Sequence, residues 1–164
     1  MKPRALPSGG GVYCFWWTGS TELFRSSECC RQLTLAGPGR RRVRVEFDDE
    51  WLGIATECPI PLYVGKTADS IAKRVGLHLL LKSDRAFPTF TGTVKQPRPT
   101  TSCQLRAGID QLFPRRANTR SLILENVGLS FVVLGGDAHA ANRFYLEDLA
   151  VGMMRPPLNI DVER

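Results

Sequence analysis

The chain has 164 residues, enough for one domain with a real core, and its 43% hydrophobic content is ordinary for a globular protein. Lys and Arg number 22 against 16 Asp and Glu, a formal charge of +6 and a pI of about 9.4, which favours an acidic partner, nucleic acid before a membrane surface. Five cysteines without a CxxC pair argue against a disulfide framework or zinc knuckle; with no signal-peptide pattern in "MKPRALPSGGG" and no apolar run of roughly 20 residues, a cytoplasmic protein with free thiols and no membrane contact is expected.

Residues 1–10 read as a flexible basic tail. "GVYCFWW", Gly11 to Trp17, is aromatic and β-branched and predicts a buried strand. Residues 18–40 read as irregular, with room for a short helix over Glu28–Leu33. "RRVRVEF", Arg41 to Phe47, alternates: Val43, Val45 and Phe47 share one face, Arg42, Arg44 and Glu46 the other. "PLYVG" predicts a strand ended by Gly65. A helix follows over "ADSIAKRVGLHLLLK", capped by Thr67 or Asp69, with Ile71, Val75 and Leu79 as its apolar stripe. Residues 83–101, with Pro88, Pro97 and Pro99, read as an excursion. "SCQLRAGIDQLF" predicts a helix capped by Ser102, with Leu105, Ile109, Leu112 and Phe113 on one face. "PRRANTR" reads as a basic turn, Leu129 to Gly136 as a strand, and "DAHAANRFYLEDLAVGMM" as a helix capped by Asp137 and ended before Pro156 and Pro157. The order predicts one small α/β (α+β) domain over 1–164, with a short sheet flanked by helices.

"GKT" at 65–67, ahead of a helix, raises the question of a triphosphate-cradling loop. Such a loop needs a glycine five residues before Gly65 and a run of backbone N–H groups. Ile60 stands there, flanked by Pro59 and Pro61, which offer no N–H. The nucleotide loop is therefore excluded.

What remains is a set in order: "GVY" at 11–13, "YVG" at 63–65, Arg74 and His78 on the next helix, Glu147 on a late helix, and Asn159 in "PPLN". This set resembles the GIY-YIG nuclease superfamily, and "GVYCFWWTG" is closest in feel to its restriction-type members. The resemblance implies a central three-stranded, mostly antiparallel sheet with helices around it, and residues 18–58 and 83–127 as insertions. It implies that Tyr13 and Tyr63 flank the scissile phosphate and that one of them activates or orients water. Lys66 would assist the tyrosine, Arg74 bind the phosphate, and His78 stand one turn later. Glu147 would hold the divalent metal, Mg²⁺ or Mn²⁺, and Asn159 would support the site. Fifty residues separate Tyr13 from Tyr63, where family members place the motifs about a hairpin apart.

The chemistry is coherent with those residue types. Phosphodiester hydrolysis needs an activated water, stabilisation of developing charge and help for the leaving oxygen. Tyrosine, with an ordinary pKa of about 10, is a poor base unless a cation such as Lys66 favours the phenolate. Arg74 can fork onto phosphate oxygens, and it shares a helix face with His78 four residues on. Mg²⁺ suits a single carboxylate because it keeps most of its waters. Taken singly, each residue has a plainer explanation: buried core tyrosines, a solvated Glu147 beside Asp148, a half-buried His78, a turn at Asn159.

DNA contacts beyond the site are expected from Arg40, Arg41, Arg42 and Arg44, and from a looser set with Lys95, Arg98, Arg106, Arg115, Arg116 and Arg120. The expected activity is a metal-dependent DNA endonuclease, in restriction or defence, with repair and mobile-element roles as variants. Sequence reading would come from the insertions or from a homodimer. The alternatives are a nucleic-acid-binding or assembly module that does not cut, and a scaffold without nucleic acid.

Overall fold

In the computed structural model, β1 (Gly11–Trp17) is the middle strand of a three-stranded sheet. It runs antiparallel to β4 (Ile60–Thr67) on one side and to β5 (Val127–Val133) on the other. β2 (Gln32–Ala36) and β3 (Arg42–Glu46) form a separate antiparallel pair. The structure describes residues 6–37, 42–48, 51, 59–79, 104–116 and 118–160. The fold is α+β, as the element order predicts.

Both faces of β1 are covered, which is why its sequence is an unbroken apolar run. Tyr13, Phe15 and Trp17 enter the larger core with Leu62, Ile71, Val75, Ile109 and Phe113. Val12 and Cys14 enter a second cluster with Val64. That cluster is covered by α5 (Ala140–Met154) through Leu146, Ala150, Val151 and Met154. Although Tyr13 and Tyr63 stand fifty positions apart in the sequence, their strands are neighbours: Tyr13 stands opposite Gly65 and Phe15 opposite Tyr63. The register then shifts, so that Trp16 faces Pro61 and Leu62 is the extra residue. Such a bulge accommodates a proline, which has no ladder N–H to give.

Several elements differ from expectation. β4 does not end at Gly65 but runs through Lys66 and Thr67, so "GKT" is paired strand and not loop. The expected helix over 28–33 is absent. A one-turn helix α1 (Glu22–Arg25) precedes it, and Leu33 and Leu35 alternate inward along β2. α2 (Ile71–Leu79) buries Ile71, Val75 and His78, with Leu79 partly buried beside them. Neither expected cap serves it: Ser70 Oγ accepts from the Lys73 N–H at 3.2 Å, and Asp69 pairs with the Lys73 ammonium at 3.0 Å. The N–H groups of Ile71 and Ala72 donate to the carbonyls of Gly9 and Pro7. Part of the expected tail is thus docked on the first turn of α2.

α3 (Gln104–Leu112) buries Leu105, Ile109 and Leu112, with Phe113 after it, as its stripe predicts. The proposed cap Ser102, residues 80–82 and the excursion over 83–101 lie outside the described residues. "NTR", read as turn, opens α4 (Thr119–Asn126), whose first turn is capped by Asn118 accepting from the Ser121 N–H at 3.1 Å. β5 begins directly after it at Val127. Asp137 does not cap α5; it starts a 3₁₀ turn that follows Gly136 at φ +77°.

Candidate active site

Gly65 leaves room for the tyrosine rings, and Gly11 for the backbone of β5 and the first turn of α2. A Cβ on Gly65 would fall 2.6 Å from the Tyr13 hydroxyl oxygen and 2.9 Å from the Tyr63 ring. A Cβ on Gly11 would fall 2.1 Å from the Val132 carbonyl oxygen and 2.8 Å from Ile71. Only glycine avoids both collisions. Tyr13 and Tyr63 therefore pack side by side, ring centroids 6.5 Å apart.

His78 closes this group from α2. Its ring lies 5.7 Å from Tyr13, 5.2 Å from Tyr63 and 5.2 Å from Phe15. The Tyr13 hydroxyl is 3.0 Å from His78 Nε2, and both residues are buried, at 3% and 1% exposure. Among the described residues His78 Nδ1 has no hydrogen-bond partner. Burial, with Arg74 and Arg106 adding to it, pushes the imidazole down to about 3, so it is neutral at physiological pH. Burial pushes the Tyr13 phenol up to about 12; Arg74 works against that rise and Glu147 with it. The opposing cation is Arg74, and it does not overcome desolvation.

Lys66 has another partner. Its ammonium forms an ion pair with Glu147 of α5 and lies 4.8 Å from the centre of the Phe144 ring. The Glu147 side chain is 20% exposed and that of Lys66 39%. Asn159 acts on β4 from its outer edge. Its side-chain oxygen accepts from the Val64 N–H at 2.7 Å, and its amide donates to the Val64 carbonyl at 2.8 Å. The Leu158 N–H donates to the Leu62 carbonyl beside it. The segment after α5 therefore occupies the edge of β4.

A cleft of about 590 Å³ opens where β4, α2 and α5 meet. Lys66, Lys73, Arg74 and Arg143 line it, with Asp69 as the acidic residue on its wall. Tyr13 and Tyr63 do not line it. Arg143, absent from the sequence reading, is 5% exposed, and its Nη1 donates to the Leu134 and Gly136 carbonyls at 2.6 and 2.7 Å. It fixes the turn between β5 and α5 and so the position of Glu147 one turn later. The i, i+4 spacing of Arg143 and Glu147 was the available signal.

The expected basic contacts scatter. Arg42 and Arg44 are exposed on β3. Arg115 is exposed; Arg116 is paired with Glu28 at 2.6 Å. Arg106 is buried in α3, close enough to influence His78, and is not a surface contact. Arg40 and Arg41 lie outside the described residues. As for metal, no group of three His, Cys, Asp or Glu side chains gathers around Glu147 or elsewhere among the described residues. That donor set fits Mg²⁺ or Mn²⁺, which draw on water and substrate oxygens, and does not fit a structural zinc site.

No family model, no curated protein and no solved structure matches the chain.

Proposed function

We propose that the chain is a divalent-metal-dependent endonuclease of the GIY-YIG type that hydrolyses phosphodiester bonds in DNA. The observation that carries this reading is convergence. Residues from β1, β4, α2 and α5, far apart in sequence, gather as Tyr13–His78–Tyr63 on one face of the sheet and Lys66–Glu147 on the other, with Lys66 on the wall of a cleft that holds four cations.

Arg74 binds phosphate in this reading, because its planar fork matches two oxygens and it stands on the cleft wall. Lys66 and Lys73 add charge against the backbone and against the pentavalent transition state. Tyr13 is a hydrogen-bonding phenol, not a resident phenolate. Its hydroxyl is hydrogen-bonded to neutral His78, which ties α2 and its Arg74 to the sheet. Mg²⁺ held by Glu147 would supply Lewis-acid stabilisation of the leaving oxygen. Asn159 and Arg143 position the strand and the helix that carry these groups.

The test is incubation with supercoiled plasmid in Mg²⁺ or Mn²⁺. Nicked or linear product is expected, with none from Glu147→Ala or Arg74→Ala. Product that survives Glu147→Ala rejects the assignment. One observation favours a second reading, a DNA-binding module that does not cut: the Lys66 ammonium already neutralises the carboxylate. Salt-dependent DNA binding without metal-dependent product would select that module.

A further inference from the structure

A second groove lies at the other end of α5. Its volume is about 560 Å³, and its walls include Val43, Arg44 and Val45 of β3, Val151 and Arg155 at the end of α5, and Asn159. No acidic residue lines it. Neither the Arg44 nor the Arg155 guanidinium makes an ion pair among the described residues, whereas Arg116 and Lys73 are each paired with a carboxylate. The nearest acid along β3, Glu46, accepts from Gln32 at 3.3 Å.

Arg155 has a second peculiarity. It ends α5 in the left-handed conformation, φ 46° and ψ 53°, where glycine is the favoured residue. It is the one non-glycine residue with positive φ among the described residues. A long cation is thus held at a position whose backbone disfavours it.

The groove and the cleft both border α5. Asn159 lines the groove and is bonded to Val64, two residues from Lys66 on the cleft wall. α5 spans both, with Arg143 at one end and Arg155 at the other. Twelve residues at about 1.5 Å each separate those arginines by about 18 Å. Along one DNA strand, at about 3.4 Å per nucleotide, that is roughly five steps.

We infer that Arg44 and Arg155 form a second phosphate-binding subsite that grips the DNA backbone beyond the cleft, about five nucleotides from the Arg143 end of α5. This rests on the nuclease reading for its ligand, DNA. The β2–β3 strand pair, which lies in sequence between the two motif strands, is then part of the substrate track, and the substrate runs along α5.

Fluorescence anisotropy with labelled duplexes of 8 to 20 base pairs, in EDTA to prevent cleavage, tests it. Arg44→Gln/Arg155→Gly is compared with the wild type; glycine suits the backbone at 155, and circular dichroism melts check the fold. The double variant is expected to bind a 20-base-pair duplex more weakly, with the slope of log K against log salt reduced by about two, one per lost contact. It is also expected to lose the affinity the wild type gains when the duplex is lengthened. Unchanged affinity and slope in a folded double variant overturn the subsite while leaving cleavage by the wild type intact. A wild type that binds with that arginine-dependent slope but gives no product in Mg²⁺ keeps the subsite and rejects the hydrolase. Absence of DNA binding at low salt, or binding of anionic lipid vesicles in its place, overturns both.

Discussion

The Tyr13 hydroxyl and His78 Nε2 stand 3.0 Å apart inside the core, and neither group is charged at neutral pH. They come from strands and helices 65 residues apart, and each supplies the other's buried hydrogen bond. An unpartnered polar tip at that depth would cost roughly 1–3 kcal/mol. The pair therefore binds α2, which carries Arg74, to β1, and so sets the distance between Arg74 and the tyrosines.

Because His78 is held near 3 when folded and near 6.5 when unfolded, the unfolded chain binds the extra proton between those values. Stability contributed by the neutral imidazole is complete above pH 6.5 and is lost as pH falls toward 3. Between pH 6.5 and pH 5 the loss is roughly 1.5 kcal/mol. Urea melts of the wild type should show it, and His78→Gln should flatten the dependence over that interval. Tyr13 acts at the other extreme: its phenol, raised to about 12, gives stability that is present below pH 10 and lost as pH rises through 12.

Two glycine-to-alanine changes should have opposite signs. At Gly65 the new methyl would sit 2.6 Å from the Tyr13 oxygen and 2.7 Å from its ring carbon, and the strand backbone cannot yield. Gly65→Ala should cost about 1–3 kcal/mol by overpacking, displace Tyr13 from His78, and abolish cleavage. Gly76, inside α2, has nothing within 4 Å of its added Cβ. Gly76→Ala should gain about 0.5–1 kcal/mol through helix propensity. Thermal melts of the two variants decide both signs.

What the sequence discloses follows the range of the interaction. β1 is legible because both its faces are apolar; β3 and α3 are legible because period 2 and period 3.6 show in Val43–Val45 and in Leu105–Ile109–Leu112. α4 is hidden because Arg120 and polar neighbours mask Leu122 and Ile123, although Asn118 was a readable cap. β2 is hidden because Leu33 and Leu35 stand among too few apolar residues to show a period. At the site, residue types and order place Tyr13, Tyr63, Arg74, His78, Glu147 and Asn159 correctly on their elements. Their electrostatics are not legible. Lys66 meets Glu147 across 81 residues, and the burial that raises Tyr13 and lowers His78 exists only once the core closes.

Asn159 should be intolerant of even its nearest isostere. Alanine removes both bonds to Val64 and leaves the β4 edge unpaired at that residue, at a cost of roughly 1–3 kcal/mol. Aspartate keeps an acceptor for the Val64 N–H but turns a carboxylate oxygen toward the Val64 carbonyl. Asn159→Asp is therefore expected to melt at least as low as Asn159→Ala near neutral pH and to recover as the carboxyl is protonated in acid. Differential scanning calorimetry at pH 7 and pH 4, referenced to Asn159→Ala, separates that recovery from the general acid loss.

Arg155→Gly should stabilise the fold while weakening DNA binding. Relief of the left-handed backbone at the end of α5 is offset in part by glycine's extra freedom in the unfolded chain, leaving a gain of up to about 1 kcal/mol. A higher Tm together with a weaker complex would mark the arginine as kept for its charge. A lower Tm would mean that its side chain packs in a way that supports the helix end.

In the proposed reading, Lys66 and a divalent cation would compete for the Glu147 carboxylate. Glu147 faces Lys66 from α5 with part of its surface open, so a metal must either displace the ammonium or share the oxygen atoms with it. Half-exposed ion pairs are worth about 0.2–1 kcal/mol. Lys66→Met removes that competitor and one local positive charge, so Mn²⁺ binding without DNA should tighten about two- to five-fold by calorimetry. Cleavage should nevertheless fall, because the same ammonium stands on the cleft wall and opposes the charge of the reacting phosphate. Tighter metal with slower cleavage assigns Lys66 to the substrate; unchanged metal affinity would mean that the cation binds away from Glu147, and the carboxylate's assignment would fall with it.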